Sequence, residues 1–465
     1  MARIGIIGAG IAGLTAAYQL QQQGHMVRVW EARGVAGGAI RSERTSDGFL
    51  VEHGPNSLRA TTPIVPRLLE DLGLERARLS AAPAATKRFI VRDGTLRPLP
   101  LSPPALLTTS LLSTRAKLRL LREPFVAAGA PTADETVASF VRRRLGPEVL
   151  AYAVDPFVAG IFAGDPHRLS LKHAFGRLYE MERTHGSLLR AALHSARTGA
   201  TDDASTATDR RIFSLRDGLQ MLPHALADAL GEAIRYEAPV TALRQMPDGT
   251  WTVATETDAT QVNALISTVP LHALGSIDWA PAVDTSPLQR VPYPPVRVVA
   301  LGFRRADVAH PLDGFGMLVP SAEDQFQILG TLVSSTLFPG RAPAGHVLLT
   351  TFVGGMRHPT LGAASDAAVR KVVLNDLQAL LGVQGAPVFE RFIAWPRAIP
   401  QYTLNHGAAV RTLEQLEDVH PGLFFAGNYR DGISVGDAMA SGEDAARRVD
   451  AHLAGADRAV AATGP

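Results

Sequence analysis

Three glycines near the start of the chain have the types and spacing to do chemistry. Gly8, Gly10 and Gly13 form G-x-G-x-x-G directly after the apolar run Arg3–Ile7 and ahead of a helical pattern that begins at Ile11. The first glycine permits a tight turn, the second lets backbone approach a diphosphate, and the third lets helix and strand pack closely. Ala9, Ile11 and Ala12 fill the turn between them, and the helix start offers unpaired N–H groups and the positive end of a dipole. Glu31, followed by Ala32, ends the next apolar run, where an acidic residue accepts hydrogen bonds from ribose hydroxyls. Strand, glycine turn, helix, strand and acid occur in that order, so the segment reads as a dinucleotide-binding unit. A purely structural glycine turn is the plain alternative.

Other chemistries are poorly served. The chain has no cysteine, which excludes disulfides, thiol nucleophiles, iron–sulfur ligation and a cysteinyl cofactor link. Its histidines are scattered without ligand spacing, so no metal is expected. No His/Asp/Glu constellation announces a general base. A formal charge of +2, with no basic stripe interleaved with aromatics, argues against nucleic acid.

The 465 residues suffice for two or three domains with real cores, and 46% hydrophobic with 19% charged content describes a globular protein. The pattern predicts a strand at 3–7, a helix at 11–23 closed by Gly24, and a strand at 26–31. Arg3 and the apolar run imitate a secretory signal, but the phosphate-type glycine spacing and the second strand favour a βαβ start. Helical patterns follow at 64–72 and 136–145, among Pro-rich turns, and 198–211 reads as an exposed loop. From 236 the pattern returns to strands: V-T-A-L at 240–243, the Asp248-Gly249 hairpin signal, and 251–255. Apolar β-type runs at 296–303 and 346–353 suggest a larger second sheet. A buried strand at 423–426 leads through a glycine-punctuated loop to a helix at 437–453. No stretch approaches the ~18 apolar residues needed to span a bilayer.

Beyond Glu31 the chain reads E-A-R-G-V-A-G-G-A-I-R-S, with the paired Gly37 and Gly38 followed by Ala39 and Arg41, and near its other end it reads F-F-A-G-N (424–428). These segments resemble the large flavoprotein group of amine oxidases and phytoene desaturases. That resemblance implies non-covalent FAD, with the segment around Gly427 and the following helix closing on the cofactor.

Further segments narrow the resemblance: V-E-H-G-P-N-S (51–57), K-R-F-I-V-R-D-G-T-L-R-P-L-P (87–100), G-I-F-A-G-D-P-H-R-L-S (160–170), G-F-G-M-L-V-P (314–320), L-G-T-L-V-S-S-T-L-F-P-G-R-A-P (329–343), L-T-T-F-V-G-G (349–355) and F-F-A-G-N-Y-R-D-G-I-S-V-G-D-A (424–438). In consistent order over nearly the whole chain, they resemble the oxygen-dependent protoporphyrinogen oxidases of haem biosynthesis. The resemblance implies that a porphyrinogen loses six electrons in three two-electron steps over one flavin, with molecular oxygen as acceptor and hydrogen peroxide as co-product. It implies that Arg88 holds a propionate, that Phe352 stacks on a ring, and that Leu318 and Leu332 sandwich a pyrrole. A guanidinium grips a carboxylate through two parallel bonds, which Lys cannot reproduce. Without the family, Arg88 is a solvated surface arginine and the other three are core residues. Arg92, four positions on, carries no such role and is expected to be silent. Flavin contacts are implied for His53, Gly54, Pro55, Asn56, Val240, Trp395, Ile433, Ser434 and Val435. Asn56 is the candidate for orienting substrate at the isoalloxazine, with a turn-capping asparagine as the bland reading.

The expected architecture is α/β (α+β): a Rossmann-like FAD-binding domain of the p-hydroxybenzoate hydroxylase-like kind (1–60, 228–291 and 405–453), a mixed-sheet substrate domain (61–104, 166–227 and 292–404), and a helical insert (105–165). The resemblance further implies a homodimer with peripheral membrane contact through that insert, placed in the cytoplasm or on the inner face of the cytoplasmic membrane. Coproporphyrinogen III oxidation is the nearest rival activity. An amine oxidase or carotenoid desaturase would leave Arg88 and L-G-T-L-V-S-S unexplained, and a non-catalytic FAD redox sensor is the rival from another class.

Overall fold

The computed structural model describes residues 1–129, 134–198 and 212–463. Its first sheet is parallel throughout, in the order Leu423–Phe425, Ala264–Ser267, Arg3–Ile7, Met26–Trp30, Ile234–Arg235. Both faces are covered, so the central strands read as nearly unbroken apolar runs. Ile4 and Ile6 meet a helical layer built from Ile11–Gln22, Ile64–Asp71, Met221–Leu230 and the long helix Val435–Thr463. Ile7 and Leu265 face Leu243, Trp251 and Val253 of a four-stranded sheet, together with Leu413 of helix His406–Val419.

A seven-stranded mixed sheet forms the second large unit, in the order Phe389–Trp395, Val296–Arg304, His346–Gly354, Ile328–Val333, Gly314–Leu318, Lys87–Arg92, Thr95–Pro98. One face packs Val91, Val299, Met317 and Val353 against Val369, Val373 and Leu377 of helix Asp366–Leu381. A separate helical cluster gathers Leu112, Phe140, Val141, Val158 and Phe162, and continues past 165 to Leu171 with Phe175, Leu178 and Leu188 packed on it. Arg144 lies buried inside it, paired with Glu123 at 2.8 Å and with Glu182. Among the described residues, no helix is long and apolar enough to cross a membrane.

The early βαβ unit, the two long strands and the helices near 64 and 136 fall within a residue or two of their expected bounds. Thr136 caps the second of these helices by accepting from Ser139 N at 3.1 Å. Gly249, at φ 84°, turns the expected hairpin. Three expectations need correction. The strand expected at 240–243 runs Ala242–Gln245 instead, with Thr241 N already donating to Ala254 O at 2.9 Å just ahead of it. The last helix starts two residues early, at Val435, and extends to Thr463. Its start is a reciprocal cap: Ser434 N donates to Asp437 Oδ2 at 3.2 Å and Asp437 N to Ser434 Oγ at 3.1 Å. Of the loop expected at 198–211, Thr198 ends a helix and the rest lies outside the described residues.

Candidate active site

The turn after the first strand separates two kinds of glycine. A Cβ on Gly13 would fall inside the van der Waals radius of Gly8 O, so the protein itself requires glycine there. Gly8 needs its freedom for a φ of 100°. Gly10 has an ordinary φ of −73°, and a Cβ there would meet only Gly38 Cα, at 4.0 Å. Nothing among the described residues demands glycine at position 10, so the turn there is left open for the close approach of a dinucleotide. Gly37 N donates to Ala9 O at 2.8 Å, which seats Gly38 and Ala39 against the turn. Ile11, Ala12 and Gly13 begin the buried helix, and Gly442 of the last helix packs against Ala12 O so closely that no side chain would fit. The start of the first helix therefore lies hard against the body of the last one.

Glu31 is buried, accepts Ala9 N at 2.8 Å on one oxygen and Arg33 N at 3.0 Å on the other, and retains lone pairs for ribose hydroxyls. Ala32 beside it is exposed. The Nε of Arg41 is buried without a hydrogen-bond partner among the described residues. Burial first, then the neighbouring Arg33 charge, weakens Arg41's hold on its proton, while Glu31 opposes them. An open cradle of backbone and an arginine lacking an anion fit the diphosphate of FAD.

The flavin-side candidates form a second group. Trp395 Nε1 donates to His53 O at 2.7 Å, joining the end of the seven-stranded sheet to the 53–56 segment. His53 itself pairs with Glu43 at 3.2 Å, and Glu43 pairs in turn with Arg391. Gly54 packs directly on Ala39 O, leaving no room for a side chain. Pro55 and Asn56 are half-buried, and Asn56 Nδ2 donates to Gly54 O at 3.0 Å, so its amide currently braces the local turn. Gly427 N donates to Ser441 Oγ at 3.1 Å, with a φ of 141° that favours glycine. Val240 packs on the core between the two smaller sheets, and Ile433 against the helical cluster. Ser434 and Val435 open the last helix.

Strand register brings the substrate candidates together. Gly316 lies opposite both Arg88 and Leu332. One step along, Gly330 lies opposite both Leu318 and Phe352. Side chains directly opposite, or two apart on a strand, share a face. Arg88, Leu318, Leu332 and Phe352 therefore share the face turned away from helix Asp366–Leu381, with glycines between them as a low floor. All four are half-buried, while Met317, Thr331, Thr351 and Val353 beside them are buried. The Arg88 guanidinium lies 5.3 Å over the Phe315 ring and has no carboxylate partner among the described residues. Burial lowers its proton affinity, and the nearby Arg59 charge lowers it further.

Sequence reasoning missed the roof. Helix Asp155–Phe162 lies over this face so closely that a Cβ on Gly160 would sit 2.5 Å from Leu318 Cδ2. Asp155 Oδ2 accepts Ser321 N at 2.7 Å and Arg357 Nη2 at 2.9 Å, tying the helix to the sheet. The small residues in A-G-I-F-A-G (159–164) were the available signal. Arg92, expected to be silent, is well anchored: it pairs with Glu148 at 2.6 Å, donates to Leu111 O and stacks 4.4 Å over Tyr152, because this end of its strand lies under the helical cluster.

Comparison with known proteins shows the family. Protoporphyrinogen oxidase 2 of Arabidopsis thaliana is 36% identical over 97% of this chain and 94% of its own length. Protoporphyrinogen oxidase of Bos taurus is 33% identical over 96% and 97%. A crystal structure from Exiguobacterium sp. superposes with a TM-score of 0.82 at 24% identity, covering 97% of this chain and 99% of that one, and so shares the fold. The family model described as flavin containing amine oxidoreductase matches residues 11–450, and the chain, an FAD-dependent oxidoreductase, belongs to that family.

Proposed function

We propose that this enzyme oxidises protoporphyrinogen IX to protoporphyrin IX. The observation that carries the reading is the cleft: an arginine without a carboxylate partner among the described residues at one end of an apolar face, glycines flattening that face, and the flavin segment beyond it. A flexible macrocycle with apolar faces and carboxylate arms is what such a surface would hold. The relatives from Arabidopsis thaliana and Bos taurus, named protoporphyrinogen oxidases, support the same substrate.

FAD, when bound, supplies the two-electron acceptor that takes hydride from a saturated ring carbon and is returned to its oxidised form by molecular oxygen. Each of three rounds removes a hydride and a proton, so the macrocycle loses six electrons and six hydrogens while three O2 become three H2O2. The protein binds and orients: Arg88 anchors a propionate, Phe352 stacks on a ring, Leu318 and Leu332 enclose a pyrrole, and helix Asp155–Phe162 excludes water. Protons leave to solvent, which requires no dedicated base. In this reading FAD is held by 1–60, 228–291 and 405–453, and the substrate face by 61–104, 166–227 and 292–404.

The helical part is proposed to rest on a membrane surface. Phe125 is 84% exposed and Leu107 68%, with Leu118 and Leu121 beside them among Arg115, Lys117, Arg119 and Arg122. Phe125→Asp is expected to reduce flotation with anionic vesicles and leave flavin content unchanged; equal flotation would remove this contact.

The decisive experiment is anaerobic bleaching of the flavin by protoporphyrinogen IX and coproporphyrinogen III, side by side. Faster bleaching by the first supports the proposal, faster bleaching by the second replaces the substrate, and bleaching by neither overturns the reading.

A further inference from the structure

The segment leaving the flavin side runs from His53, under the Trp395 indole, to Leu58, which exchanges both backbone hydrogen bonds with Phe213 at 2.7 and 3.0 Å. In that antiparallel register Arg59 stands opposite Ile212. Ile212 packs in the same small cluster as Phe315, the ring beneath the Arg88 guanidinium. Arg59 thus lies toward the Arg88 end of the cleft. It is exposed, and among the described residues it has no carboxylate partner.

The arginines around the cleft differ in this respect. Arg92, on the same strand and face as Arg88, is paired with Glu148, and Arg341, Arg357 and Arg430 all have acidic partners. Among the described residues neither Arg59 nor Arg88 has a carboxylate partner; burial weakens the hold of Arg88 on its proton, and the Arg59 charge weakens it further. Two cations left together without a counter-ion at the mouth of an apolar cleft are suited to a ligand that brings two neighbouring anions.

We propose that Arg59 is a second carboxylate-binding residue, so that Arg59 and Arg88 together grip two adjacent propionates and fix which pair of pyrroles enters the cleft. This rests on the porphyrinogen reading above. It assigns Arg59 to substrate binding and orientation; hydride transfer itself needs no group from it.

The test compares Arg59→Gln with wild type on protoporphyrinogen IX and on its dimethyl ester, which keeps the macrocycle and removes both charges. The expected result is a roughly 5- to 10-fold rise in KM for the diacid, the size of one partly exposed charge-assisted contact, with kcat nearly unchanged. The diester should not distinguish the two proteins, and Arg59→Lys should recover part of the diacid loss. FAD stoichiometry and melting temperature, measured on the same preparations, should match wild type. Equal losses on diacid and diester, or a loss of bound FAD, would overturn the assignment. A wild type whose flavin is reduced by neither compound would instead overturn the porphyrinogen reading itself.

Discussion

At the dinucleotide end, the key residues lie close together in the chain and the local backbone does the positioning: turn, helix start and strand end follow one another from Gly8 to Glu31. On the open face of the seven-stranded sheet, Arg88, Leu318, Leu332 and Phe352 come from four strands and meet only through register. In the proposed reading, the first region recognises a ligand through backbone N–H groups and missing side chains. In the same reading the second recognises one through side chains held over missing side chains, at Gly316 and Gly330. Backbone recognition tolerates almost no substitution at its glycines, whereas a side-chain surface can change its ligand one residue at a time. That difference is open to direct attack.

The largest effect is expected from the glycine turn. Gly13→Ala drives a Cβ into Gly8 O and should cost about 3 kcal/mol or more, with FAD lost as the unit unfolds. Gly10→Ala has room in the protein, so the apoprotein should unfold in urea as wild type does. Its FAD Kd should nevertheless rise roughly 10- to 150-fold, the loss of a charge-assisted contact of about 1.5–3 kcal/mol. Equal destabilisation of the two apoproteins would erase the distinction between structural and ligand-imposed glycines.

The seam between the regions should respond to pH. Tyr402 OH donates to Asn428 O at 2.5 Å and accepts Gly432 N at 3.0 Å, while Tyr402 O accepts Ser170 N from the helical part. His406 stacks on Tyr402 at 4.0 Å and meets His173 edge-on. Burial first, then His173, pushes His406 down to about 4, against a backbone contact with Tyr429. A depressed histidine takes up its proton more readily unfolded, so stability is complete above the unfolded value of 6.5 and falls as pH drops toward 4. About 3 kcal/mol is at stake across that window. His406→Phe keeps the stack and should flatten the acid limb of urea unfolding; an unchanged slope would place the titration elsewhere.

What could be read from the sequence follows the same division. The glycine turn and Glu31 were legible because their chemistry depends on neighbours in the chain. The cap Ser434-x-x-Asp437 was equally local, and it gives the true start of the last helix, two residues before Asp437. The shared face was not legible, because the sheet slips register between Gly314 and Gly316 and again between Ile328 and Gly330. Counting along any single strand cannot foresee those shifts; only the family resemblance supplied the four residues. The roof helix was hidden for another reason, since its hold on the sheet lies in Asp155 and Arg357, far apart in the chain.

On the substrate face, Arg88→Ala should lower kcat/KM for protoporphyrinogen IX by about 10- to 150-fold, the equivalent of 1.5–3 kcal/mol for a partly desolvated bidentate pair. FAD content should not change, and Arg88→Lys should recover part of the loss through charge without the fork. Lys87→Ala, which removes an exposed pair with Asp313, is the suitable control and should behave as wild type. Equal kinetics for Arg88→Ala and wild type at matched flavin occupancy would show that the propionate is held elsewhere.

The smallest expected effect sharpens the comparison within one strand. Arg92 shares the face of Arg88, but its charge is answered by Glu148, whose carboxyl is held below its ordinary range by Ser113 and Arg92 despite the opposing effect of burial. Removing the guanidinium leaves that carboxylate with Ser113 alone, at 2.5 Å and 2.7 Å from its hydroxyl and amide. Arg92→Ala should therefore cost about 1 kcal/mol of stability, in keeping with a partly exposed pair plus a lost contact on Tyr152. Any loss of activity should follow loosening of the helical cover and strike the diacid and its dimethyl ester alike. Arg88→Ala should spare the diester. A selective loss of diacid turnover in Arg92→Ala would mean that the carboxylate reaches past Arg88 to the paired arginine, and that an ion pair already formed in the protein does not disqualify a residue from binding substrate.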